Sequence, residues 1–277
     1  MNILSRRQLI VAAASVSAVM GASLLMDGCG GSGGQTHPDT VDYLNFFLNL
    51  EYLEAEFYLR ATSGTGLTDT LAGGAHAGNV TGGGQVTFST TIYQQLAKQI
   101  AQQEVEHVTY LQSKIGSENV VARPTIDLTE GFRQLGVAAG FSSPFNPFAD
   151  EQSFLLGAFF FEDLMAGAYA GSVLRDPVVF CGICGNESYH AAAIRTLIIS
   201  AGGTLVTRAN LLSGSRTMLG GGNDQGVTIS SGPDFSPSNL SGGGLTRLPQ
   251  QILNIVYQSP NANAGGFFPS KLNGFIR

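Results

Sequence analysis

Gln103-Glu104-Val105-Glu106-His107 and Asn186-Glu187-Ser188-Tyr189-His190 are the two stretches on which the fold turns. Each sets a glutamate and a histidine at i and i+3, on one face of a helix. The chain holds ten glutamates and four histidines in 277 residues. By composition, a glutamate falls three places before a given histidine in roughly 4% of cases. Two such coincidences, both inside helical patterns, are a signal.

Each motif sits in the middle of an apolar stripe of helical period. One stripe runs Leu96, Ile100, Glu104, His107, Leu111, Ile115; the other runs Phe180, Ile183, Glu187, His190, Ile194, Ile198. Two further stripes carry a lone glutamate: Leu44, Phe47, Leu48, Glu51, Ala55, Tyr58, and Leu155, Ala158, Glu162, Met165, Tyr169. All four stripes should face one core. Four buried carboxylates repel one another and take up protons unless something pairs them. Two divalent ions balance their charge, and the two histidines add neutral nitrogen donors. Glu51 with Tyr58, and Glu162 with Tyr169, each precede their own Glu-x-x-His, so the chain reads as two matching helix pairs. Glu54 is the other candidate on the first helix; the stripe puts it at the edge and Glu51 deeper. Tyr58 and Tyr169 are either plain core aromatics or partners that orient a carboxylate.

Caps and breakers set the limits. The helices are expected at about 41–61 with Thr40 as N-cap, at 91–115 stopped by Gly116, from Asp150 to about 175, and from Asp176-Pro177 to Gly202-Gly203. A Gly/Ser/Thr-rich stretch, 63–89, reads as a surface excursion. A long crossover, 117–147, carries a short helix at about 128–139. One long crossover between two helix pairs is the connectivity of ferritin-like bundles, and a lone Glu on two helices with Glu-x-x-His on the others is their di-iron or di-manganese pattern. After Gly203 the chain turns Gly- and Ser-rich, with one short helix expected at 249–257. The expected fold class is all-α, a ferritin-like four-helix bundle with one long crossover and a Gly-rich C-terminal extension. Its parts are a signal segment (1–29), a linker (30–40), the bundle (41–203) and the extension (204–277).

The chain resembles the ferritin-like, desiccation-related proteins of bacteria and plants. The likeness rests on Asn49-Leu50-Glu51-Tyr52-Leu53-Glu54 with Phe57-Tyr58, the two Glu-x-x-His stretches, and Phe161-Glu162-Asp163 with Ala168-Tyr169. It continues through Ile194-Arg195-Thr196 into the tail, Gly265-Gly266-Phe267-Phe268-Pro269 with Leu272-Asn273-Gly274. The resemblance implies the metal ligands Glu51, Glu104, His107, Glu162, Glu187 and His190, with Glu104 and Glu187 bridging.

Ser5-Arg6-Arg7-Gln8-Leu9-Ile10 opens an apolar run from Leu9 to Met26, as twin-arginine (Tat) export signals do. The expected location is periplasmic or exported, with the membrane met only through the signal or a lipid anchor. Cys29 stands where a lipoprotein cysteine would, although Asp27 suits that box poorly, so lipidation stays open. A net charge of −6 with no Lys/Arg run argues against nucleic acid. Cys181-Gly182-Ile183-Cys184 lies inside a helix, where packing is the first reading and redox chemistry the second. His37 and His76 fall in loops and should be exposed.

The expected cofactor is therefore a pair of iron or manganese ions, both suited to carboxylate-rich ligation with imidazole. The expected partner is a small oxidant, oxygen or peroxide, in stress or desiccation protection. The alternative is a non-catalytic protective scaffold on the same fold. A storage cage is disfavoured, because the insertion and tail would crowd a shell interface.

Overall fold

Asp39, one residue earlier than the expected Thr40, caps the first helix. Its carboxylate accepts from Asp42 N at 2.9 Å, and Asp42 returns the bond to Asp39 N at 3.0 Å. This reciprocal pair satisfies two backbone donors; Thr40 as cap would have Tyr43 at the third helical position, with no carboxylate to return the bond. The computed structural model describes residues 37–221, 224–239 and 241–277. The export and lipidation readings at Arg6, Arg7 and Cys29 lie outside the described residues.

Helix α1 (Thr40–Ser63) is followed by a short α2 (Asp69–Ala72) and the strand β1 (Val80–Thr81). Then come α3 (Thr91–Ile115), the strand β2 (Ile126–Asp127), which pairs in parallel with β1, and α4 (Leu128–Ala138). Helix α5 (Glu151–Ser172) is capped by Asp150, and α6 (Pro177–Ala201) by Asp176 with proline in its first turn. Helix α1 lies along α3, and α5 along α6, so the bundle is built of two pairs. Helix α5 is apolar and long enough to cross a membrane, but 78% of that window is buried inside the protein. It is the core helix. Helices α3 and α6 bury one face each and expose the other.

The sequence reading missed one long helix. Gly202 and Gly203, both at positive φ, turn the chain straight into α7 (Gly203–Gly220). Glycine and serine mask its pattern, yet Leu205, Ala209, Leu212, Arg216 and Leu219 recur at helical steps and are buried. The hairpin β3 (Thr228–Ile229) and β4 (Gly232–Pro233) and helix α8 (Pro249–Val256) complete the chain. The tail is built into the core. Phe267 sits 4.9 Å from Phe132 and 5.3 Å from Phe161, between ring centroids. Asn273 exchanges two hydrogen bonds with Asn49 of α1. The excursion also contributes: Leu67, Ala72 and Val86 are buried.

A lattice of buried ions ties the tail to the bundle. Asp163 of α5 accepts from Arg195 of α6 at 2.7 Å and from Arg216 of α7 at 2.8 Å. Arg216 continues to Asp224, which also holds Arg247. Gly171 lets the Arg247 backbone approach, since a Cβ there would stand 2.2 Å from its carbonyl oxygen. Burial pushes the Asp224 carboxyl up, but Arg216 and Arg247 more than offset this and hold it below its usual value. Such a carboxylate contributes stability that is complete above the unfolded pKa and is lost as pH falls through the lower folded one.

Asp224→Asn should therefore cost roughly 3–5 kcal/mol in denaturant unfolding at pH 7, because it leaves the buried Arg247 without its carboxylate and Arg216 with Asp163 alone. The gap to the parent should narrow below about pH 4.

Candidate metal centre

Four helices deliver six side chains to one place. Helices α1 and α5 bring Glu51 and Glu162, and α3 and α6 bring Glu104 with His107 and Glu187 with His190. The four glutamates are 0% exposed and both histidines 4%. They form two groups: Glu51, Glu104, His107 and Glu187 in one, and Glu104, Glu162, Glu187 and His190 in the other. Within each group the potential ligand atoms lie within 4.8 Å of one another. Glu104 and Glu187 belong to both.

The imidazoles face inward through Nδ1. His107 Nδ1 is 3.2 Å from Glu104, 3.2 Å from Glu187 and 3.3 Å from Glu51. His190 Nδ1 is 3.2 Å from Glu162 and 3.4 Å from Glu104. One N–H cannot satisfy three carboxylates. Accordingly Glu51 Oε2, Glu104 Oε1 and both oxygens of Glu187 are buried without a hydrogen-bond partner. Among the described residues, no lysine or arginine pairs with any of these glutamates; their ion-pair partners are the two histidines. Orphaned carboxylate oxygens around two inward-facing imidazole nitrogens suit a pair of hard or borderline dications.

The electrostatics of the protein without metal follow. Burial pushes the histidines toward neutrality, but the surrounding carboxylates win, holding His107 far above its usual range and His190 up at about 11. Burial raises the Glu51 carboxyl to about 7 against the pull of His107. Glu104 is also pushed up by burial, yet the two imidazolium groups beside it leave it well below the usual carboxylate range. Protons thus hold the place that a metal would take.

The two tyrosines resolve as partners. Tyr58 of α1 donates to Glu162 of α5, and Tyr169 of α5 donates to Glu51 of α1. Each helix steadies the other's carboxylate. Burial raises both phenols well above their usual pKa, so they remain donors.

A second cross-brace escaped the sequence reading. Gln103 of α3 stands 2.8 Å from His190 Nε2, and Asn186 of α6 stands 3.4 Å from His107 Nε2. Each amide directly precedes the glutamate of one Glu-x-x-His and braces the histidine of the other. Gln103 Oε1 accepts from His190 Nε2–H and keeps that Nδ1 turned inward, whereas Asn186 presents its amide nitrogen to His107 Nε2. The signal was in plain view: a side-chain amide before both motifs.

Glu54 corrects an expectation. It does not lie at the edge of the stripe; it is 1% exposed, and neither carboxylate oxygen has a hydrogen-bond partner. Helix α1 is buried on nearly every face, so its amphipathic stripe has no real edge. The cysteines are free, Cys181 exposed and Cys184 half-buried, so only Cys184 fits the packing reading. His37 and His76 are exposed.

Residues 39–200 match the ferritin-like domain family. The chain is similar to ferritin-like catalase Nec2 of Nesocodon mauritianus, with 28% identity over 265 residues, 85% of this chain and 84% of that protein. It is also similar to desiccation-related protein PCC13-62 of Craterostigma plantagineum, with 29% identity over 204 residues, 68% of this chain and 63% of that one. No solved structure matches the chain with significance.

Replacing either phenol strips a buried carboxylate of a donor. Tyr58→Phe and Tyr169→Phe should each cost the metal-free protein about 1–3 kcal/mol in denaturant unfolding. No loss in either variant would mean that the phenols only fill space.

Proposed function

The chain belongs to the ferritin-like domain family, in its desiccation-related branch, and from that premise we propose that it is an exported dimetal protein that decomposes peroxide. One observation carries the reading: two overlapping Glu/His groups in which four buried carboxylate oxygens lack partners and, among the described residues, no arginine or lysine balances the charge. A relative named as a ferritin-like catalase, matched over 84% of its length, favours peroxide over oxygen as the oxidant.

Glu51 and His107 would hold one ion, Glu162 and His190 the other, and Glu104 and Glu187 would lie between them. A redox-active iron or manganese pair supplies two-electron exchange with the oxidant at such a site. The chain's own residues do the rest. Tyr58 and Tyr169 fix the outer carboxylates, while Gln103 holds the His190 imidazole with Nδ1 inward. Phe47 and Phe180, packed against Tyr169, keep water from one side. The carboxylates are fully buried and the imidazole side chains 5–6% exposed, so a small oxidant arrives past the histidines, between α3 and α6.

Metal analysis of protein from iron- and manganese-supplemented cells should find about two ions per chain. Peroxide should then yield oxygen stoichiometrically, at one oxygen per two peroxides. Fewer than about 0.2 equivalents of any transition metal would sink the dimetal reading and leave a non-catalytic scaffold. Uptake must displace the protons on His107, His190 and Glu51, so apparent affinity should fall between pH 7 and pH 5. Glu104→Ala should release at least one ion and lower the melting temperature of the metal-loaded protein well below the parent's.

Export rests on Arg6 and Arg7, and the Tat route suits a protein that folds around its metals before crossing. Arg6→Lys with Arg7→Lys should leave folded protein in the cytoplasm on fractionation. Normal export of that double variant would point to the Sec route.

A further inference from the structure

The centre is nearly two-fold symmetric. Glu51 answers Glu162, Tyr58 answers Tyr169, Glu104 and His107 answer Glu187 and His190, and Gln103 answers Asn186. The correspondence of α1 with α5 sets residue 51 against 162 and residue 58 against 169, so it sets Glu54 against Met165. At this one pair the chemistry differs. Both side chains are buried, at 1% and 2% exposure, but Met165 is apolar and Glu54 carries a carboxylate.

That carboxylate has no structural partner. Both of its oxygens are buried without a hydrogen bond, and no lysine or arginine pairs with it among the described residues. Its neighbour Glu56 shows what a structural buried glutamate looks like here: it is held by Arg60 and Arg123 and accepts from Leu67 N. Glu54 instead lies three residues from Glu51, on the same face of α1. After burial itself, the groups that push its carboxyl up are the four glutamates of the centre.

We propose that Glu54 is a seventh metal ligand, which makes the two metal positions unequal. This rests on the dimetal reading above. Glu54 stands outside both four-residue groups, so it reaches an ion by turning about its own side-chain bonds. The position that takes it then has five protein ligands and the other has four, which leaves the other more open to an incoming oxidant. Five carboxylates also exceed the charge of two dications by one. Gain of charge by the metal pair is thereby favoured.

The test is manganese(II) titration of the full chain, with free ion followed by electron paramagnetic resonance and folding by circular dichroism. The parent should bind two ions in separable steps. Glu54→Met, which copies the other half of the centre, should weaken the tighter step by at least about tenfold and bring the steps together, with two ions still bound. Glu54→Gln, of equal size but uncharged, should fall between and decides the matter if the methionine variant does not fold. The metal-free Glu54→Gln protein should be more stable than the metal-free parent, which a structural glutamate would not predict. Two unchanged steps in both variants would overturn the proposal and leave the dimetal centre intact. Failure of the parent to bind manganese or iron would overturn both.

Discussion

The rest of the structure depends on the burial of carboxylates without cationic side chains. Five glutamates, 51, 54, 104, 162 and 187, are buried in one core and, among the described residues, meet no cationic group but two imidazoles. Unpaired charge of this kind is not tolerated in an apolar interior. The protein without metal meets the constraint with protons, which is why both histidines are held charged and Glu51 and Glu54 are pushed up. A pair of dications meets it better, because the orphaned oxygens then gain a partner. Fold stability and metal occupancy are on this account two sides of one balance.

Holding mutually repelling groups in place needs braces from outside the cluster, and each brace comes from the opposite half. The phenol of α1 holds the carboxylate of α5, and the reverse. The amide of α3 braces the imidazole of α6, and the reverse. Within a pair the helices pack closely, α1 with α3 and α5 with α6; between pairs the contact is thinner. The braces cross where the packing is thin, so the polar groups assemble the two halves as well as orienting the ligands.

Much of this was legible in the sequence, for a physical reason. A glutamate in the middle of an apolar stripe is costly enough to be informative, and the Glu-x-x-His spacing fixes which faces meet. Glu54 was misjudged because stripe reasoning assumes a helix with one wet side. Helix α1 has none, since the excursion, the crossover and the tail all lie over it, with Asn49 bonded to Asn273 and Tyr52 to the Val121 carbonyl. Those contacts span long sequence separations that local periodicity does not encode. Helix α7 was missed for the opposite reason. Its glycines and serines lower helix propensity, and tertiary burial of Leu205, Leu212 and Arg216 overrides it.

The arginines show how the cluster is kept available for metal. The chain does bury guanidinium groups: Arg195 and Arg216 are 0% exposed and Arg247 is 5%. All three are engaged by Asp163, Asp224 and backbone carbonyls. Asp163 directly follows Glu162, and one helical step of about 100° turns the two carboxylates to different sides of α5. On one side Asp163 is neutralised by Arg195 and Arg216. On the other, Glu162 meets a phenol and an imidazole but no permanent cation. An arginine on that second side would have given a fully satisfied salt bridge and a core with no need of metal. Placing every buried arginine on the tail side keeps the charge of the centre open to a ligand that can come and go.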